Sequence, residues 1–136
     1  MLKSADEFSY LRRSESFDDY NRAAREEATD EVWLEVISRF PDLKIWVAHN
    51  KTVPLSILRV LARDCDPRVR KSVAAKRKLD PELFDLLSAD EDSTVRASIT
   101  YNSKVPLVVL KRLLADREVW IRDIAAEKLE QQLRNQ

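Results

Sequence analysis

At 136 residues, with 24 Lys/Arg against 24 Asp/Glu, the chain has the size of a single domain (1–136) and no net charge. It holds no glycine and one cysteine, Cys65. The first absence excludes Gly-dependent phosphate loops, dinucleotide fingerprints and nucleophile elbows, and the second an internal disulfide or a cysteine-ligated zinc site.

Ser4-Ala5-Asp6-Glu7 has the form of a capping box and predicts a short helix over about 5–13. Ser16-Phe17-Asp18-Asp19 opens a second helix through about 28, with Phe17, Tyr20 and Ala24 on one face. This segment, 1–28, reads as an N-terminal helical cap over one end of the core. Thr29-Asp30-Glu31 starts a third helix, with Val32, Trp33, Val36 and Ile37 as its apolar stripe, ending near Phe40-Pro41. A second short helix follows over Leu43–Asn50.

From there a period of 26 residues governs the chain. Val53, Leu79 and Val105 are spaced by it, as are Ile57, Leu83 and Val109, and Leu61, Leu87 and Leu113. Pro54, Pro81 and Pro106 fall at or near first helical turns, where a missing N–H costs nothing. Asp64 and Arg70, Asp90 and Arg96, and Asp116 and Arg122 repeat the pattern of Asp, five residues, Arg. The expected repeats are 29–50 (degenerate), 51–76, 77–102 and 103–136, the last including a C-terminal cap with a polar outer face. Two short helices cannot bury their apolar faces alone, so copies must stack. The expected fold is all-α: a right-handed α-solenoid of about four stacked helix pairs.

The stretch Pro81-Glu82-Leu83-Phe84-Asp85-Leu86-Leu87-Ser88-Ala89-Asp90-Glu91-Asp92-Ser93-Thr94-Val95-Arg96 resembles the leucine-rich repeat variant, which is close to HEAT-type repeats. The resemblance covers about residues 30–129 and implies a scaffold fold. The whole chain is similar to small bacterial HEAT-like proteins with no assigned role. Some members of the variant class carry an N-terminal cysteine-ligated cluster, and with Cys65 alone that feature does not transfer.

Charge is uneven along the chain. Residues 1–43 carry 6 Lys/Arg and 11 Asp/Glu, residues 44–79 carry 10 and 2, and residues 80–136 carry 8 and 11. A basic middle in a neutral chain points to a surface for an anionic partner. The inter-repeat turns concentrate it: His49-Asn50-Lys51, Lys76-Arg77-Lys78 and Asn102-Ser103-Lys104, with Arg68 and Lys71 (and Arg59 and Arg63) close in sequence. These are the candidate binding residues. Lys and Arg at helix C-termini also suit the helix dipole, and Asn terminates helices, so the turns have a purely structural reading as well. The residues Asp64, Arg70, Asp90, Arg96, Asp116 and Arg122 read as a structural ladder. Each Asp is expected to cap its second helix, and each Arg to bond Asp or carbonyls within or between repeats.

No catalytic residue is assigned, since the sole histidine, His49, has no nucleophile or base fixed by spacing and reads as a helix-end hydrogen bond. No metal or cofactor is expected. Trp33 belongs to a core stripe, while Trp46 and Trp120 each stand next to an inward position and are either buried or partly exposed. The expected function is a non-enzymatic protein–protein interaction module whose basic turns bind an acidic partner. DNA binding and toxin-immunity-type inhibition are the alternatives. No secretory leader or membrane span is visible, so the expected setting is cytoplasmic and the expected state a monomer.

Overall fold

The computed structural model describes residues 1–135, and these are all-helical, with no strand among them. Ten α-helices run in order: α1 Ala5–Arg13, α2 Phe17–Arg25, α3 Asp30–Arg39, α4 Lys44–His49, α5 Leu55–Leu61, α6 Pro67–Ala74, α7 Pro81–Ser88, α8 Ser93–Tyr101, α9 Leu107–Leu113 and α10 Val119–Arg134. A short 3-10 turn, Pro41–Leu43, leads into α4. The helices gather into two compact units, Met1–Asp64 and Cys65–Gln136. The division falls inside the 51–76 repeat, between α5 and α6.

In the first unit, α1 begins where Ser4 Oγ accepts from Glu7 N at 3.0 Å. The reciprocal bond reaches one residue further back than a capping box requires, with Lys3 N donating to Glu7 Oε1 at 2.8 Å. Helix α2 opens on Ser16 and stops at Arg25, short of the expected 28, because Glu26 is extended. Its buried residue is Ala23, while Phe17 is 75% exposed and Tyr20 is exposed. The face drawn through Phe17 and Tyr20 is therefore corrected. Helix α3 buries Trp33 and Val36, with Phe8 of α1 meeting Trp33 edge to face at 5.2 Å between ring centroids. Helices α1 and α3 pack together, and α5 packs on α3 and α4.

In the second unit, α6 packs against α8 and α8 against α10, while α7 packs against α9. Pairs α7–α8 and α9–α10 join these two rows. Helix starts keep the sequence period: Leu55, Pro81 and Leu107 open α5, α7 and α9, and Pro67, Ser93 and Val119 open α6, α8 and α10. Buried Leu83, Phe84 and Leu87 of α7 and Val109, Leu110 and Leu113 of α9 recur in register. Asp80 caps α7 by accepting from Leu83 N at 2.9 Å, followed by Pro81 at the first position.

A chain without glycine must end its helices without the left-handed residue that most often closes them. Among the described residues none has positive φ. Instead, last turns tighten to i→i+3 bonds: Asp64 N to Leu61 O, Asp90 N to Leu87 O and Asp116 N to Leu113 O, all at 3.1–3.2 Å. Other helices stop at an extended residue, as at Ser14, Glu26, Asn50 and Asn102.

Candidate functional site

The Asp and Arg positions link successive helix pairs. In the second unit, Arg70 Nε donates to Asp90 Oδ2 at 2.8 Å, and Arg96 Nε to Asp116 Oδ2 at 2.8 Å. Each bond spans 20 residues. In the first unit Lys44, which precedes Arg70 by one period, donates to Asp64 Oδ2 at 2.7 Å, again across 20 residues. Arg96 also turns back on its own repeat, donating through Nη1 to Asp90 O at 2.7 Å and Glu91 O at 3.2 Å. Arg122 makes the equivalent backward bond to Asp116 O at 2.7 Å.

The Asp residues also brace the glycine-free turns. Asp90 Oδ1 accepts from Asp92 N, and Asp116 Oδ1 from Glu118 N, both at 2.9 Å. The expectation that Asp64, Asp90 and Asp116 cap the second helices is corrected here. Asp66 and Asp92 are the caps of α6 and α8, accepting from Arg68 N at 2.9 Å and Thr94 N at 2.8 Å, and Glu118 precedes α10 with no side-chain cap bond. The side-chain cap stands two residues after Asp64 and after Asp90. Burial alone would push the Asp116 carboxyl up. The Arg96 guanidinium, the Glu118 N–H and the neighbouring positive charges outweigh it and hold Asp116 below the usual carboxylate range. Asp92 is also held low, first by the Thr94 hydroxyl and then by the Thr94 N–H.

Asn50 and Asn102, two of the candidate binding residues, lie inside the protein. Asn50 is 0% exposed and donates to Ala23 O at 2.8 Å and Glu26 O at 3.1 Å. Asn102 donates to Ala74 O at 2.8 Å and Lys76 O at 2.7 Å. Their Oδ1 atoms accept from Thr52 N at 2.8 Å and Lys104 N at 2.9 Å. Each asparagine thus satisfies carbonyls at the end of an earlier helix and braces its own turn. Buried and fully engaged, neither is available to a partner, and both are withdrawn from the candidate binding set.

The remaining candidates divide. Lys51, Arg68, Lys71, Arg77, Lys78 and Lys104 are exposed, Lys76 is partly buried, and Arg68 is paired with Asp66 at 2.9 Å. In the second unit the Asn102 amide, bound to Lys76 O, sets turn 76–78 beside turn 102–104. A shallow cleft between them, about 320 Å³, is lined by Ala75, Arg77, Ser98, Tyr101, Asn102 and Ser103. Tyr101 is 59% exposed, with Lys128 Nζ 5.7 Å from its ring centroid.

Turn 49–51 belongs to the first unit and opens on a different site. His49 is exposed at the end of α4, its ring edge-on to Trp46 at 5.4 Å. Trp46 is partly buried beneath Arg12, whose guanidinium carbon lies 3.5 Å from the indole centroid and 5.1 Å from the Tyr20 ring. A cavity of about 350 Å³ is lined here by residues of α1, α2 and α4 together with Lys51. Sequence patterns gave no sign of it, because Arg12, Tyr20 and Trp46 come from three helices with no shared period. Trp33 is core, and Trp120 is 41% exposed.

Among the described residues no group of three or more His, Cys, Asp or Glu side chains is placed to hold a metal ion, and no helix is long and apolar enough to cross a membrane. The chain matches no family model, no curated protein and no solved structure.

Proposed function

We propose that the chain is a non-enzymatic interaction module, a right-handed α-solenoid of HEAT-like repeats that binds an acidic protein partner through its basic inter-repeat turns. The observation that carries this reading is the Asn102 amide bound to Lys76 O at 2.7 Å. It fastens two basic turns side by side, so that Arg77, Lys78 and Lys104 project from a fixed backbone rather than from loose loops. A preorganised set of cations loses less on binding than a mobile one. Exposed Tyr101 between these turns supplies the aromatic anchor that interfaces favour. The repeat reading is supported by the 26-residue spacing of helix starts and by the Arg–Asp links that span 20 residues in each case. The module is proposed to act as a cytoplasmic monomer; exposed, unpaired Cys65 suits a reducing setting.

The test is a titration of the full chain with a polyglutamate peptide and with duplex DNA at ~50 mM salt. The expected result is saturable peptide binding that falls by about tenfold or more in the triple variant R77E/K78E/K104E. Binding of DNA in preference to the peptide would move the reading to nucleic acid. Equal peptide binding by wild type and triple variant would remove its basis.

A further inference from the structure

Apart from turn residues His49 and Lys51, the cavity of the first unit combines features that the protein-binding reading does not use. Six of its lining residues are Arg12, Tyr20, Arg25, Trp46, His49 and Lys51, and none of the lining residues is acidic. Three permanent cations therefore face a concave space of about 350 Å³ with no carboxylate in its wall. Arg12 makes no ion pair among the described residues, although it is partly buried. A partly buried cation with aromatic neighbours and no counter-charge gains when an anion approaches it.

The stacking of Arg12 decides how an anion would be received. Its guanidinium carbon lies over the Trp46 ring, 3.5 Å from the centroid, and a guanidinium stacked on an aromatic ring keeps its N–H groups for in-plane bonds. Nε is buried and has no hydrogen-bond partner, and Arg12 lines the cavity wall. The N–H edge of a guanidinium matches the paired oxygens of an oxyanion. Arg25 at the end of α2 and Lys51 beyond α4 bring two further charges. The Lys51 backbone is itself held, its N–H donating to Ala24 O at 2.8 Å. Three cations favour a dianion over a monoanion. The Tyr20 and His49 rings line the same space as flat surfaces against which an unsaturated ring can stack. The volume lies at the small end of the range for ligand pockets.

We propose that this cavity binds a small aromatic phosphate ester, with the phosphate on Arg12, Arg25 and Lys51 and the ring between the aromatic walls. The site does not rest on the protein-binding reading. Arg12, Tyr20, Arg25 and Trp46 lie outside the basic turns, and R77E/K78E/K104E leaves every lining residue intact.

The test is calorimetric titration of the full chain with phenyl phosphate, inorganic phosphate and phenol, followed by amide chemical-shift mapping. The expected result is saturable binding of phenyl phosphate, about tenfold or more tighter than either fragment, with shifts at Arg12, Trp46 and Lys51. R12K keeps the charge but loses the planar fork, and should weaken binding by about tenfold. If R12K does not fold, R25A/K51A, which changes two exposed side chains, gives the same answer with a similar loss. Phenyl phosphate binding no tighter than inorganic phosphate, no saturable binding at all, or affinity unchanged in R25A/K51A would each overturn the proposal.

Discussion

Arg96 Nε lies 2.8 Å from Asp116 Oδ2, and the same guanidinium reaches back to Asp90 O at 2.7 Å. One side chain thus fixes the turn of its own repeat and the turn of the next. Arg96 is 3% exposed, so these bonds form largely out of water. Breaking such a pair leaves its partner buried and charged. Arg96→Ala is expected to lower stability by about 3–5 kcal/mol, read as a fall in urea midpoint at constant slope. Replacing both partners, as R96M/D116L, removes the stranded charge and should recover more than half of that loss. A double variant no more stable than R96A would mean that the backward bonds to Asp90 O and Glu91 O, rather than the ion pair, carry the effect.

The depressed carboxyl of Asp116 has a consequence for acid stability. Its folded pKa lies below its unfolded value, so the unfolded chain binds the proton more readily. The stabilisation is present above the ordinary carboxylate pKa of about 4 and is lost as pH falls through the folded value. Asp92 acts in the same direction. Urea unfolding of wild type between neutral pH and about pH 3 should show stability falling in acid. In Asp116→Asn the same descent should be shallower. Identical slopes would show that Asp116 titrates alike in both states.

The buried asparagines make a separate prediction. Asn102 donates to two carbonyls, Ala74 O and Lys76 O, at the end of α6. Asn102→Ala should cost about 1–3 kcal/mol, since those groups lose a partner in a buried setting. It should also loosen turn 76–78, visible as faster amide exchange at Arg77 and Lys78. Exchange at these amides equal to wild type would show that the turns hold their position without the asparagine.

The helices were legible because their start signals are local. Asp80-Pro81 and Asp66-Pro67 announce α7 and α6 within two residues, and the 26-residue spacing of Leu61, Leu87 and Leu113 marks buried positions. Lys44 was also recoverable, standing one period before Arg70. Which aspartate of each Asp-x-Asp caps the helix was not, since both positions suit a cap and only the tertiary reach of Arg70 and Arg96 separates them. Asn50 and Asn102 looked like surface turn residues because their partners lie 24–28 residues earlier, beyond any local pattern. The Arg12–Trp46 stack has the same cause: it joins α1 to α4 across the fold.

Helix α2 and helix α7 together test where the core runs. Leu87 is fully buried on α7, in register with Leu61 and Leu113, so Leu87→Ala should cost about 2–5 kcal/mol through lost burial and a residual cavity. Phe17 is the larger side chain, yet it stands 75% exposed at the first position of α2. Phe17→Ser removes apolar surface already in water and should change stability by no more than about 0.5 kcal/mol. Thermal melts of the two variants side by side decide the point. A loss for Phe17→Ser comparable with that for Leu87→Ala would place Phe17 in the core in solution and return α2 to the face first drawn through Phe17, Tyr20 and Ala24.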